Sequence, residues 1–242
     1  MKTTDMLDGV CGIHKEKDFT SMDVVAVLRG ITKQKKIGHG GTLDPMATGV
    51  LPVLFGSATK LQDPLMAHEK EYEAIALLGK TTNTQDITGE TIREAPDFTL
   101  SEEELRKALS LFMPGYEQVP PMFSARKVKG QKLYALARKG VEVERASKWV
   151  DIPEIRLLSF DGLWAKIQVR CGKGTYIRTL IHDIGKRLGM GACMESLLRT
   201  RVGGFTLENS LTISQFETAF REGKLDPYFI SAQQVKDRLG IS

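Results

Sequence analysis

The stretch that organises this chain is residues 36–60, KIGHGGTLDPMATGVLPVLFGSATK, in which a glycine-rich loop leads into an apolar segment. The glycines permit a tight turn and a close approach of the backbone, and the proline after Asp44 disfavours the α conformation for that aspartate. Asp44 is therefore predicted to lie on a stiff, extended or turning loop. A carboxylate held in this way is either a structural turn former or a positioned chemical group, and these residues leave both interpretations open.

The same stretch lacks the patterns of two other kinds of site. The phosphate-binding pattern G-x-x-x-x-G-K-[ST] is absent. His39 and Asp44 have no third ligand at a recognisable spacing, so no metal site is expected here.

The whole chain has 242 residues, of which 41% are hydrophobic, which is enough for one large domain or a domain with a small appendage. Its three cysteines contain no C-x-x-C pair and are interpreted as reduced, mostly buried thiols in a reducing compartment. Neither a signal-peptide core nor a run as long as a membrane helix is found, so a cytoplasmic protein is expected.

Positive charge is concentrated locally, because 34 Lys and Arg against 30 Asp and Glu leave a net charge of only +4. Residues 123–148 contain eight Lys or Arg against two Glu, a local excess of six. Such a run is either a solvated face or a surface for a polyanion. A second basic group within residues 166–201 favours a polyanionic partner.

Hydrophobic periodicity predicts an α/β chain. Strands are expected at residues 8–15, 71–78, 150–160 and 163–170, the last two forming a hairpin around Asp161-Gly162. Helices are expected to begin at three capping boxes, Thr20/Asp23, Ser101/Glu104 and Thr212/Gln215, and the first helix to bury Val24, Val27, Leu28 and Ile31. Residues 81–98 are interpreted as a loop, residues 192–200 as a short helix, and no strand is expected after residue 223.

Four stretches resemble the TruB family of pseudouridine synthases, enzymes that isomerise a uridine in the T loop of transfer RNA. They follow one another in the family's order and are GHGGTLDPMATGVLPVLFGSATK (38–60), KEYEAIALLGKTTNTQDITGE (70–90), QVPPMFSARKVKGQKLYALARKGVEVER (118–145) and CGKGTYIRTLIHDIGKRLGMGA (171–192). The resemblance extends from about residue 8 to about residue 210. Two positions differ from the usual pattern: Glu16 follows Lys15 where proline is usual, and Gly40 stands where threonine is common.

The resemblance implies the pseudouridine synthase fold, a mixed, mostly antiparallel sheet with flanking helices and a catalytic cleft. Residues 1–210 would form the catalytic domain, with residues 123–148 as a basic RNA-binding insertion. Residues 211–242 would form a short helical tail, too short for the full PUA domain of many relatives.

For the chemistry, the resemblance implies that Asp44 acts as nucleophile or charge stabiliser at C1′ of the uridine. Arg178, in GTYIR, would pair with Asp44 and keep it ionised and oriented. From the sequence alone, a phosphate contact or a surface ion pair is equally open for this arginine. Tyr72, in KEYEA, matches an active-site tyrosine that stacks on the target base, although its pattern also suits a buried tyrosine with a satisfied hydroxyl.

The remaining positions concern substrate binding. Tyr176 and Leu197 correspond to pocket residues, and His39 to a histidine that occupies the space left by flipped bases. RNA contacts are expected from the basic insertion, at Arg126, Lys127, Lys129 and Lys132.

The expected function is therefore a monomeric tRNA pseudouridine synthase acting at nucleotide 55, without a metal or organic cofactor and without a membrane partner. One alternative is a synthase with another RNA substrate, including a guide-dependent catalytic subunit. A second is a noncatalytic RNA-binding or RNA-folding factor, against which the joint presence of Asp44, Tyr72 and Arg178 argues.

Overall fold

The computed structural model describes residues 6–95, 97–124, 126–128 and 130–239. Their contacts divide the chain into two units. The first comprises Met1–Tyr72 and Leu197–Ser242, and the second comprises Glu73–Ser196. The sequence-based division at residue 210 stays a prediction.

The strands of these described residues are β1 (Gly9–Lys15), β2 (Ile37–His39), β3 (Thr48–Phe55), β4 (Lys70–Leu78), β5 (Lys80–Thr82), β6 (Thr91–Glu94), β7 (Gly115–Gln118), β8 (Lys127–Val128), β9 (Gln131–Lys132), β10 (Lys148–Asp151), β11 (Glu154–Phe160), β12 (Trp164–Cys171), β13 (Ala192–Val202), β14 (Phe205–Thr206), β15 (Ser210–Leu211) and β16 (Phe229–Ser231). The α-helices are α1 (Ser21–Thr32), α2 (Gln62–Ala67), α3 (Glu102–Ser110), α4 (Leu133–Ala137), α5 (Ile177–Arg187), α6 (Ile213–Arg221) and α7 (Ala232–Leu239). Two short 3₁₀ helices are η1 (Gly56–Leu61) and η2 (Asp226–Tyr228).

The first unit is built on the antiparallel pair of β1 and β3, in register from Gly9 opposite Phe55 to Lys15 opposite Gly49. On the edge away from β3, β1 pairs with β15 in parallel orientation and with β16 in antiparallel orientation. On the other side, β3 pairs with β2 in antiparallel and with β13 in parallel orientation. The sheet is thus mixed and mostly antiparallel, as predicted, and helices α1 and α6 pack on it through a core in which Phe55 stacks on Phe216.

The second unit contains the hairpin of β11 and β12, the ribbon of β7 and β10, and two smaller hairpins, β5 with β6 and β8 with β9. Asp161 closes the largest hairpin by accepting hydrogen bonds from the backbone N–H groups of Leu163 and Trp164. The turn at Asp161-Gly162 predicted from the sequence is confirmed.

All three predicted capping boxes are present, at the starts of α1, α3 and α6. In each, the cap side chain accepts the N–H of the residue three positions later, and that residue's side chain accepts the cap's own N–H. The predicted stripe of α1 is wrong at Val27, which is exposed, because the helix buries Val25 beside Val24 and Leu28.

Three expectations from local pattern are wrong. Residues 192–200 belong to strand β13 rather than to a helix, because pairing of Leu198 and Arg199 with β3 outweighs the helical propensity of the segment. The interval read as the loop 81–98 contains the hairpin of β5 and β6. Strand β16 lies beyond residue 223, where no strand was expected.

The three cysteines are free and buried, in agreement with the sequence analysis. Burial raises the pKa of Cys11 to about 12 and that of Cys193 to about 11. In the part of the chain that the structure describes, the helices are too short or too polar to cross a membrane.

Candidate active site

Asp44 lies half-buried on a loop whose neighbouring peptides are both fixed. On one side, the Ser21 hydroxyl accepts the N–H of Leu43 at 2.9 Å and lies 3.3 Å from its carbonyl oxygen. On the other side, Lys15 Nζ donates to the carbonyl oxygen of Pro45 at 3.2 Å. The carboxylate therefore extends from a backbone that has little freedom to turn.

Lys15, the last residue of β1, is completely buried. Its ammonium also donates to the carbonyl oxygens of Glu16, at 2.8 Å, and Phe19, at 2.6 Å. Burial lowers the pKa of Lys15 to about 8, while attraction by the Asp44 carboxylate acts in the opposite direction. Lys15 thus supplies a buried positive charge next to the Asp44 loop, and it joins that loop to the β1–α1 connection.

Arg199, on β13, holds the beginning of the same loop and is also buried. Its Nε donates to the carbonyl oxygen of Val50 at 2.7 Å, and its Nη2 to that of Gly41 at 3.1 Å. The sequence analysis counted Arg199 only as part of a basic group. An arginine in a segment interpreted as a short helix gives no local sign of burial, and the burial of Arg199 follows from the pairing of β13 with β3.

His39 lies on β2, opposite Val53 of β3. Burial, together with the nearby Arg199 guanidinium, lowers the pKa of the imidazole. Its Nδ1 is buried and has no hydrogen-bond partner among the described residues. His39 is therefore an uncharged ring in this unit near physiological pH.

Tyr72 and Leu197 belong to the first unit as well, and both side chains are almost fully buried. Glu71, next to Tyr72, accepts a hydrogen bond from the Thr200 hydroxyl at 3.3 Å and lies 3.6 Å from the Arg201 guanidinium. These contacts place the start of β4 beside the end of β13, the strand that carries Leu197.

Arg178, in the first turn of α5, is only 5% exposed and belongs to the second unit. Its Nη1 donates to the carbonyl oxygen of Thr84 at 2.8 Å and lies 3.5 Å from Oδ2 of Asp86. Its Nη2 donates to the carbonyl oxygen of Phe123 at 2.9 Å. The β5–β6 turn and the first residue of the basic insertion thus fix the plane of the guanidinium.

Asp86, which the sequence analysis did not single out, is itself held rigidly. Its Oδ1 accepts hydrogen bonds from the Thr84 hydroxyl at 2.8 Å, the Thr88 N–H at 3.0 Å and the Thr88 hydroxyl at 2.6 Å. An aspartate in a polar turn gives no local sign that it will pair with an arginine. The pairing of Asp86 depends on Arg178, which lies 92 residues further along the chain.

Tyr176 precedes α5, and its backbone is held by Gln118 of β7 rather than by a capping side chain of its own. Of the expected RNA-binding residues, Arg126 is exposed, while Lys127 and Lys132 are cross-strand partners in the β8–β9 hairpin. Lys129 lies outside the described residues.

The candidate residues thus fall into two groups. The first unit contains Asp44, His39, Tyr72 and Leu197, and the second contains Tyr176 and Arg178. Within the described ranges, no cluster of three or more His, Cys, Asp or Glu side chains is suited to binding a metal ion. The roles of these residues stay predictions from the sequence.

The described fold is that of the pseudouridine synthases. A solved structure, a Cbf5-Nop10-Gar1 complex, contains a chain that matches with a TM-score of 0.72 and 29% identity, over 93% of this chain and 60% of that chain. This protein therefore spans about 60% of the length of that solved chain.

The family model of the TruB N-terminal domain matches residues 29–177, and that of the tRNA pseudouridylate synthase B C-terminal domain matches residues 178–231. The chain therefore belongs to the TruB family of pseudouridylate synthases. Similar proteins named tRNA pseudouridine synthase B include one from Clostridium tetani, 42% identical over 94% of this chain and 78% of its own length. Another, from Alkaliphilus oremlandii, is 46% identical over 87% of this chain and 70% of its own length.

Proposed function

We propose that this protein converts uridine to pseudouridine at position 55 in the T loop of tRNA. The family membership supports an isomerase that acts on tRNA. The observation that carries the proposal is the immobilised Asp44 loop, because chemistry at an anomeric carbon requires a carboxylate in a defined place. We also propose a cytoplasmic monomer, in line with the sequence-based expectation.

The reaction breaks the bond between C1′ and N1 of the uridine and forms a bond between C1′ and C5. The base turns between the two steps, C5 loses its proton, N1 gains one, and no electrons are exchanged with a cofactor. In this proposal the Asp44 carboxylate acts at C1′ as nucleophile or as stabiliser of positive charge. The neighbouring Lys15 ammonium, to which Asp44 is attracted, balances its negative charge in the free enzyme.

Arg178 and Tyr72 complete the proposed catalytic group. Arg178 presents a guanidinium whose plane is already set by Asp86 and two carbonyl groups, and it orients the Asp44 carboxylate when the uridine is bound. Tyr72 stacks on the target base. A side chain that is ordered before binding loses little entropy when the substrate arrives, so these residues favour the reactive geometry.

A uridine inside a folded loop must be rotated out before C1′ is accessible. We assign to His39 the space vacated by flipped bases, and to Tyr176 and Leu197 the walls of the base pocket. An uncharged imidazole suits this role because a neutral ring can stack among bases without binding a counterion. The basic segment 123–148 holds the RNA backbone.

The likeness to a chain of the Cbf5-Nop10-Gar1 complex favours a second candidate function, that of a subunit working in a complex with other proteins. The guide-dependent catalytic subunit considered from the sequence is a candidate of this kind. The two candidates differ in what they require. A tRNA enzyme modifies an isolated T-arm stem-loop, whereas a guide-dependent subunit leaves it unchanged.

The test is to incubate the purified protein with an unmodified T-arm stem-loop, without any guide RNA, and to map pseudouridine in the product. We expect modification at the uridine corresponding to position 55. Absence of pseudouridine there would reject the proposed function, and modification only after a guide RNA is added would support the second candidate.

The proposed role of Asp44 at C1′ is tested with the variant Asp44→Asn, which keeps the size of the side chain but removes its charge. We expect product formation to be lost, by about 10³-fold or more, while the dissociation constant for the stem-loop changes little. Both quantities are measured on the same preparation, by pseudouridine mapping and by filter binding. Turnover equal to that of the wild type would rule out a role for Asp44 at C1′.

A further inference from the structure

The loop between β12 and α5 leads to two of the proposed active-site residues, Tyr176 at its end and Arg178 in the first turn of α5. It runs through Gly172 and Gly174, and Gly174 has φ = +82°, a conformation that glycine adopts readily. Tyr176, which follows, occupies the N-cap position of α5 without a side-chain cap of its own. Contacts from outside the loop can therefore help to set the direction in which the chain passes through Tyr176 into α5.

Gln118, the last residue of β7, supplies that restraint. Its Oε1 accepts the backbone N–H of Tyr176 at 2.8 Å, and its Nε2 donates to the backbone carbonyl of the same residue at 3.1 Å. Gln118 is only 2% exposed. One amide thus holds both polar groups of a single residue, which restricts rotation of the chain on either side of it.

The Gln118 amide is in turn held by a second pair of side chains. Its Nε2 also donates to the Tyr116 hydroxyl at 2.7 Å, and that hydroxyl donates to Oδ2 of Asp183, in the second turn of α5, at 2.8 Å. This series of hydrogen bonds therefore links Tyr176, at the end of the loop, to Asp183 on helix α5, which also carries Arg178. Every donor and acceptor in it has a fixed direction.

The ribbon of β7 and β10 also holds the first residue of the loop, Gly172. The N–H of Gly172 donates to the carbonyl oxygen of Asp151, the last residue of β10, at 2.9 Å. Because Gln118 and Asp151 lie at opposite ends of one four-residue ladder, a single rigid ribbon supports the loop from Gly172 to Tyr176.

We propose that Gln118 is a positioning residue for the reaction, acting through the backbone of Tyr176 and supported by Tyr116 and Asp183. This inference rests on the proposed function, since it assigns Tyr176 a place in the base pocket. The amide is required because its target presents one donor and one acceptor. Methionine has a similar length, has no donor and offers only a weakly accepting sulfur.

Loss of the restraint should affect turnover more than RNA binding. Tyr176 would sample a wider range of positions, and small displacements of groups around a reacting centre are costly in rate. Contacts to the RNA backbone elsewhere would be unchanged. For Gln118→Met we expect the single-turnover rate constant to fall about 10- to 100-fold, with a change in Kd of less than about threefold.

The chain offers a matched control in the first unit. Gln34 is buried like Gln118 and holds both the N–H of Leu7, at 3.0 Å, and its carbonyl oxygen, at 2.9 Å. Gln34→Met therefore removes the same hydrogen bonds from a residue with no proposed role in catalysis. We expect the free energy of unfolding to fall by a similar amount in the two variants. Only Gln118→Met should also have a reduced turnover rate.

A double-mutant cycle separates positioning from general structural damage. If Gln118 acts through Tyr176, then Gln118→Met should reduce the rate much less in a Tyr176→Ala background than in the wild type. Equal reductions in both backgrounds would overturn the proposal, because the effect would then bypass Tyr176.

Amide hydrogen exchange supplies a measurement that does not depend on activity. Gln118→Met should increase exchange at the Tyr176 amide and leave the Leu7 amide protected, and Gln34→Met should do the reverse. An unchanged Tyr176 amide in Gln118→Met would overturn the proposal even for an inactive preparation. Conversely, the wild-type protein could leave the T-arm unmodified while the variants show the expected exchange pattern. That result would reject the proposed function but would still support the role of Gln118 in holding Tyr176.

Discussion

Three buried cations, two in the first unit and one in the second, donate mainly to backbone carbonyl groups. Lys15, Arg199 and Arg178 are each almost fully buried, and each donates to at least two carbonyl oxygens. Removing a charge from water is costly unless hydrogen bonds compensate for the loss, so these three side chains are stable only in the arrangement that satisfies them. At the scale of single residues, the same contacts that stabilise Lys15 and Arg199 also fix the loop that carries Asp44.

His39 provides a prediction about pH. Its pKa in the folded protein lies below the ordinary value of 6.5, so on acidification the unfolded chain takes up a proton before the folded chain does. Stability associated with His39 is complete above pH 6.5 and is lost as the pH falls below that value. His39→Gln should therefore make the acid decline of the free energy of unfolding shallower, by at most about 1.4 kcal/mol per pH unit.

The measurement is urea denaturation of both proteins at several pH values between 7 and 5. His182→Gln offers a comparison, because burial also lowers the pKa of His182 in the second unit. The double variant should show the smallest dependence on pH. If the free energy of unfolding of His39→Gln fell with decreasing pH as steeply as that of the wild type, the lowered pKa assigned to His39 would be contradicted.

At the scale of secondary structure, strand β3 connects the Asp44 loop to the sheet. It begins four residues after Asp44, and at Gly49 it pairs with Arg199 in parallel orientation and with Lys15 in antiparallel orientation. The two buried cations that hold the loop thus both lie beside Gly49. Register errors in this strand would displace both of them at once.

Two glycines allow this role of β3 to be tested. Gly49 has φ = +107°, and a Cβ there would lie 2.2 Å from the carbonyl oxygen of Arg199. Gly49→Ala should therefore lower the free energy of unfolding by roughly 3 kcal/mol and also reduce turnover. Gly30→Ala is the matched control, since Gly30 lies inside α1 with no atom within 4 Å of the added Cβ. It should raise stability by about 0.5–1 kcal/mol.

Both free energies are obtained from urea denaturation, and turnover from single-turnover assays on the T-arm stem-loop. A Gly49→Ala protein as stable as the wild type would show that the parallel pairing of β3 with β13 can relax at no cost. The backbone would then tolerate a side chain at the start of β3.

At the scale of the whole molecule, the small net charge of +4 means that affinity for RNA must come from local concentrations of cations. The segment 123–148, with its excess of six positive charges, is the strongest such concentration identified in the sequence. Removing Lys127 and Lys129 together should weaken binding and flatten its dependence on salt. The slope of log K against log salt concentration should fall by about 0.7–0.9 for each phosphate that the variant no longer neutralises.

Alanine at Arg221 and Lys224 removes the same formal charge elsewhere and serves as the control. Both residues are exposed and pair with Glu217 and Glu222, respectively, so they should contribute little to the slope. The measurement is binding of the T-arm stem-loop at several salt concentrations. An unchanged slope after removal of Lys127 and Lys129 would show that this segment does not bind phosphate.

The sequence by itself determined the features that depend on neighbouring residues. Helices α1, α3 and α6 begin where their capping boxes predict, because the cap and its partner are only three residues apart. Strand β4 buries Tyr72, Ala74, Ala76 and Leu78, as its alternation indicates. The four stretches that resemble the TruB family likewise predicted the family to which the chain belongs.

Only the tertiary structure decided the features that join distant parts of the chain. Residues 192–200 belong to a strand in which Leu198 and Arg199 pair with β3, and Asp86 and Gln118 acquire partners 92 and 58 residues away. No local pattern could identify them, since an aspartate in a turn or a glutamine at a strand end has the same sequence signature whether or not it finds such a partner. Hydrogen bonds and charge interactions act over a few ångströms of space, so sequence separation does not limit them once the chain has folded.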